Sequence, residues 1–129
     1  MMEGKVNDEL EAAVELTVFG TGLRKRQVIA LVDTGFNDFL VLPRDVVDYL
    51  PLPKTTGENF ITLADGSEIT DSYRLGEILW DGQKRKVLIL ALDGNPLLGM
   101  ALMEGCDLNV SANAGGAVRL TKQEPEPQS

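Results

Sequence analysis

The run Val28-Ile29-Ala30-Leu31-Val32 leads without a break into Asp33-Thr34-Gly35. Five apolar residues, rich in β-branching and followed at once by a glycine-containing turn, predict a strand buried on both faces. Such a strand would deliver Asp33 from the core to the floor of a cleft. An ionised carboxylate beside a core strand is costly unless it is hydrogen-bonded, paired or used in chemistry. This stretch therefore constrains what the rest of the chain must build around it.

The 129 residues suit one domain, large enough to bury a core without disulfides or metal. With 43% hydrophobic and 25% charged residues, the composition is that of a soluble globular protein. A net charge of −8 and a pI near 4.4 repel phosphate backbones, and no basic stripe offsets them, so nucleic acid is not an expected partner. Arg24-Lys25-Arg26 and Lys84-Arg85-Lys86 are the basic clusters, and they read as exposed hairpin arms. The absence of histidine removes Ser-His-Asp and Cys-His catalysis and nearly all common zinc sites, and the function expected below needs no metal or other cofactor. The single Cys106 has no intramolecular disulfide partner, which suits a reducing cytoplasm, and it reads as a small buried residue. Met1 to Glu9 carries no apolar signal region, and the longest apolar run, Val87 to Leu92, is too short to span a bilayer. A cytoplasmic protein with no membrane association is the expectation.

In chain order, residues 1–9 are polar and read as a flexible N-terminus. Ala12 to Phe19, the turn Gly20-Thr21-Gly22, and Leu23 to Val32 form a hairpin pattern. Phe39-Leu40-Val41-Leu42 is a second apolar stretch. Pro43 then opens a short helix through Leu50, and Pro51 and Pro53 stop it. Phe60 to Leu63 is a strand, and Ala64-Asp65-Gly66-Ser67 is an Asp-Gly hairpin turn. Glu68 to Leu79 reads as one long returning arm, joined by Trp80-Asp81-Gly82-Gln83 to Lys84–Ala91. Leu97 to Met103 passes from a buried segment into one or two helical turns. Cys106–Val110 and Ala117–Thr121 make a final hairpin, and residues 122–129 form a tail disordered by composition. Residues 10–121 are thus one all-β domain, a barrel or sandwich with two short helices.

An Asp-Ser/Thr-Gly tripeptide arises by chance in roughly one chain in twenty of this length, so its neighbours must decide its meaning. Four segments occur in order: Ala30-Leu31-Val32-Asp33-Thr34-Gly35-Phe36, Leu63-Ala64-Asp65-Gly66-Ser67, Pro96-Leu97-Leu98-Gly99, and Gly105-Cys106-Asp107-Leu108-Asn109-Val110. That set resembles the retropepsin-like aspartic proteases, and within them the small prokaryotic members with an Asp-Thr-Gly-Phe motif. The likeness runs from about Ala12 to Thr121. It implies an acid-protease barrel with Asp33 catalytic and Thr34 and Gly35 supporting its loop. It assigns Leu63, Ala64, Asp65, Gly66 and Ser67 to a roof over the substrate, against the plainer reading of an Asp-Gly hairpin. Phe36, Asn37 and Asp38 would line the cleft, although Asn37 and Asp38 also suit solvated turn positions. Tyr73 and Trp80 read as core or barrel-edge aromatics. Two departures stand out. Phe36 occupies a position where retroviral enzymes usually have alanine, and the segment between Gly99 and Gly105 is shorter than theirs.

The implied chemistry is hydrolysis of peptide bonds by two carboxylates that share one proton and hold one water. The chain contains one Asp-Thr/Ser-Gly triplet, since Asp65-Gly66-Ser67 has the wrong order and Asp71-Ser72 is followed by Tyr73. A working pair needs a second Asp33 from another copy, and a two-fold homodimer is the simplest source. The expected function is an aspartic endopeptidase acting on peptide or protein substrates. The alternative is a catalytically inactive barrel of the same fold that binds peptides or a protein partner by edge pairing.

Overall fold

The computed structural model describes residues 1–55, 59–62 and 66–124, with 59–62 and 69–71 described as backbone only. Eleven strands and two short helices are found there: β1 (Met2–Val6), β2 (Ala12–Phe19), β3 (Lys25–Val32), β4 (Leu40–Leu42), α1 (Arg44–Tyr49), β5 (Asn59–Thr62), β6 (Glu68–Asp71), β7 (Arg74–Trp80), β8 (Gln83–Ala91), β9 (Leu97–Leu98), α2 (Met100–Met103), β10 (Cys106–Val110) and β11 (Ala117–Lys122). The expected all-β class holds.

Six strands, β2-β3-β9-β4-β8-β7, form a ring that closes because β7 returns to pair with β2. Closure depends on how β2 divides one edge between two partners. Its first residues pair with β1 (Val6 opposite Ala12), and its last with β7 (Val18 opposite Ile78). Side chains alternate across each strand, so one set faces inward. Val14, Leu16, Val18, Val28, Ala30, Leu40, Leu42, Ile78, Ile89 and Leu98 fill the interior, and α1 adds Val46 and Val47.

The turn between β7 and β8 shows how local sequence sets register. Asp81 and Gly82 both have positive φ, 51° and 81°, which is the backbone of a two-residue turn matched to strand twist. The basic clusters sit on exposed hairpin arms and are used within the chain. The guanidinium groups of Arg24 and Arg26 lie 5.6 and 4.9 Å from the centre of the Tyr49 ring, and that of Arg85 lies 5.7 Å from Trp80.

Four expectations need correction. The strand leading to Asp33 is buried on one face for most of its length, and Ile29 is 63% exposed. A barrel wall has one covered side, and a β-branched apolar run satisfies that as readily as a fully covered sheet. Residues 1–9 are not all loose, because Met2–Val6 pairs with β11 and β2 and buries Val6 to 4% exposure. The alternation Met2, Gly4, Val6 was hidden by the charged residues on the opposite face. The single long arm after the Asp-Gly turn is two strands, broken at Ser72-Tyr73. Finally, Lys122 belongs to β11 and the Gln123 N–H donates to the Gly105 carbonyl at 2.8 Å, so order extends past the expected start of the tail.

The incorporation of β1 has a measurable consequence. Val6→Ala removes buried methyl groups and is expected to lower the unfolding free energy by about 1–3 kcal/mol in urea denaturation. No change would return residues 1–9 to a loose terminus.

Candidate active site

The loop from Asp33 to Asp38 leaves the end of β3, and β9 holds it from below. β9 threads between β3 and β4, parallel to the first and antiparallel to the second. The Asp33 N–H donates to the Leu98 carbonyl at 2.9 Å, and the Gly99 N–H donates to the Phe39 carbonyl at 2.9 Å. The N–H groups of Met100 and Ala101 reach back to the carbonyls of Phe36 (2.8 Å) and Asp38 (3.2 Å). These bonds require the two segments to touch. A Cβ on Gly99 would lie 2.1 Å from the Asp38 carbonyl oxygen and 2.7 Å from the Phe36 ring. Only glycine fits there without moving the loop.

On this support, Asp33 is partly exposed and its Oδ1 accepts the Gly35 N–H at 2.9 Å. The short turn that Asp favours at such positions accounts for the bond. The carboxylate is thus held at the loop surface with one oxygen anchored. A cavity of about 340 Å³ lined by Trp80, Arg85, Glu104 and Cys106 does not include Asp33.

The other expected site residues divide. Gly35 and Asn37 are exposed beside Asp33. Thr34 is also exposed, and its hydroxyl has no hydrogen-bond partner among the described residues of its own chain. Phe36 is 2% exposed and packs with Val41 and Leu90, so its ring supports the loop from inside and does not line an open surface. Burial of a large aromatic outweighs its exposure beside a polar loop. Leu63, Ala64 and Asp65 lie outside the described residues. Gly66, with φ of +87°, and Ser67 are exposed at the start of the returning strand.

Asp38 is engaged on both carboxylate oxygens. Oδ1 accepts the Phe39 N–H at 2.9 Å, and Oδ2 accepts the Tyr73 hydroxyl at 2.5 Å. The Tyr73 ring packs against the Phe36, Val41 and Leu90 cluster, as expected of a core-edge aromatic. Its hydroxyl is the site feature that sequence reading missed, because no local pattern links positions 35 residues apart. The break between β6 and β7 at Ser72-Tyr73 was not legible either. Burial, with the hydrogen bond and negative charge of Asp38, pushes the Tyr73 hydroxyl up to about 12. Among the described residues, no group of three or more His, Cys, Asp or Glu side chains could hold a metal ion.

The structure superposes on the crystal structure of a retropepsin-like aspartic protease from Rickettsia conorii with a TM-score of 0.54. The match covers 95% of this chain and 91% of that one, at 12% sequence identity. The chain has the retropepsin-like fold. No family model matches the sequence, and no curated protein sequence does. In the retropepsin-like barrel described here, the Asp33 loop rests on a threaded strand and carries its one Asp-Thr-Gly triplet at the surface. No helix among the described residues is long and apolar enough to cross a membrane.

The raised Tyr73 value implies a defined alkaline dependence. The unfolded tyrosine ionises near 10 and the folded one near 12, so the folded state binds more protons in that window. Stability contributed by Tyr73 is complete below pH 10 and is lost as pH rises towards 12. Urea denaturation of the wild type should decline more steeply between these values than that of Tyr73→Phe. Equal slopes would show that the hydroxyl is not held in its neutral form.

Proposed function

We propose that this protein is an aspartic endopeptidase, with the catalytic pair made of Asp33 from each of two copies in a homodimer. The observation that carries the reading is the placement of Asp33. A fixed, partly exposed carboxylate stands on the outer surface of a loop in a retropepsin-like barrel, with Thr34 and Gly35 exposed around it. One such carboxylate can act as a base, but it supplies no acid to polarise the substrate carbonyl. A second copy related by a two-fold axis supplies that acid with no further residue type.

Two carboxyl groups facing each other across one water cannot both ionise, so they share a proton and their apparent pKa values separate. The ionised member takes a proton from the water as its oxygen attacks the peptide carbonyl carbon. The protonated member donates to the carbonyl oxygen, giving a neutral tetrahedral intermediate. The first carboxyl then gives its proton to the nitrogen while a hydroxyl of the intermediate returns one to the second carboxylate, the C–N bond breaks, and a carboxylic acid and an amine leave. Throughout, the Gly35 N–H and the Leu98 carbonyl keep the Asp33 segment from turning away. In the proposed dimer the exposed Thr34 hydroxyl is available to the second copy. The β5–β6 hairpin is the element assigned to cover bound peptide, and Asn37 is the loop residue free to meet its backbone.

Cleavage of an unbiased peptide library tests the reading. Asp33→Asn should keep the fold and lower kcat by about 10²–10⁴-fold or more, and the wild type should show a bell-shaped profile in the acidic to near-neutral range. In mixtures of wild type and Asp33→Asn, activity should fall as the square of the wild-type fraction. A linear fall, or activity in a species that sediments as a monomer, excludes the shared pair. Peptide binding without cleavage would leave the non-catalytic barrel.

A further inference from the structure

We infer that Tyr73 is a positioning residue that ties the β5–β6 hairpin to the Asp33 loop through Asp38. The inference rests on the peptidase reading only for its kinetic consequence. Its structural part stands on contacts outside the Asp33 carboxylate.

The hairpin forms a two-stranded sheet separate from the barrel sheet. Among the described residues, two backbone hydrogen bonds close its base, one of them on the Tyr73 carbonyl. The Thr55 N–H donates to the Tyr73 carbonyl at 2.8 Å and the Leu75 N–H donates to the Pro53 carbonyl at 2.9 Å, and these two bonds make the antiparallel bridge between Lys54 and Arg74. The chain entering the hairpin is thus fastened to the chain leaving it. Tyr73 then sends its ring into the Phe36, Val41 and Leu90 cluster and its hydroxyl to Asp38 Oδ2.

Asp38 is well suited to transmit position. Its other oxygen is held by the Phe39 N–H, and its backbone carbonyl is held by the Ala101 N–H above the tight contact at Gly99. Asp38 cannot shift without disturbing the segment that also fixes Asp33. A charged acceptor strengthens the hydroxyl bond, and partial burial keeps water from replacing it. The result is a direct side-chain link from the hairpin base to the loop bearing the reactive carboxylate. The hydroxyl stays protonated, and so remains a donor, throughout the neutral range.

A link of this kind acts on the covering element and not on the acid–base step. Loss of the hydroxyl should loosen the base of the hairpin, weaken peptide binding and leave the Asp33 chemistry intact. Tyr73→Phe keeps the ring packing and deletes only the bond. Its KM should rise about ten-fold, the worth of one hydrogen bond to a charged group, with kcat within about two-fold.

The deciding experiment measures amide hydrogen exchange in wild type and Tyr73→Phe, together with peptide kinetics. Faster exchange in Asn59–Thr62 and Glu68–Asp71, with β2 and β3 unchanged, supports the link. Unchanged exchange in the hairpin overturns it, whether or not the protein cleaves peptides. Failure of the peptidase reading would instead appear as absent cleavage in the wild type, with the exchange difference still present. In the Asp38→Ala background, Tyr73→Phe should add no further change in exchange or KM, since the bond is already gone. An equal added effect there shows that Tyr73 does not act through Asp38.

Discussion

The contact between Gly99 and the Asp33–Asp38 loop is the constraint on which the site depends. Four backbone hydrogen bonds run between Leu98–Ala101 and the loop or its exit, and they form only because two main chains meet with no Cβ between them. Once made, they fix the direction in which Asp33 leaves the barrel. They also fix the carbonyls of Phe36 and Asp38, so both ends of the loop share one support. Phe36 completes it from beneath, filling space that a smaller residue would leave empty.

The barrel makes that contact possible. β9 has two residues, yet it pairs on both sides and carries Leu98 into the interior. So short a strand has little pairing energy of its own. The closed ring around it holds β3 and β4 at the spacing it fills. Closure depends in turn on β2, whose edge serves β1 at one end and β7 at the other. The terminal strands are therefore part of what holds the site, although they lie far from it in sequence.

Much of this architecture was legible from local chemistry. Gly20-Thr21-Gly22 and Asp81-Gly82 mark hairpins because their backbones need conformations that other residues resist. Pro43, Pro51 and Pro53 bracket the first helix through the missing N–H and fixed φ. Asp33-Thr34-Gly35 stood out because an apolar strand runs straight into a carboxylate. What was hidden shares one character. The pairing of Met2–Val6, the interior position of Phe36 and the bond from Tyr73 to Asp38 all depend on residues distant in sequence. In each case local polarity pointed elsewhere: charges on β1, a polar loop around Phe36, and an aromatic ring whose packing was clear while its hydroxyl was not.

The sequence by itself determined the alternation, the turns and the single acidic triplet, because these follow from side-chain shape and backbone freedom within a few residues. The fold class follows from them. Tertiary structure alone decided which strand supports Asp33, which face of β3 is covered, and which hydroxyl reaches Asp38. Those outcomes depend on the order in which strands meet around the barrel, and that order is set by closing the ring over one shared core.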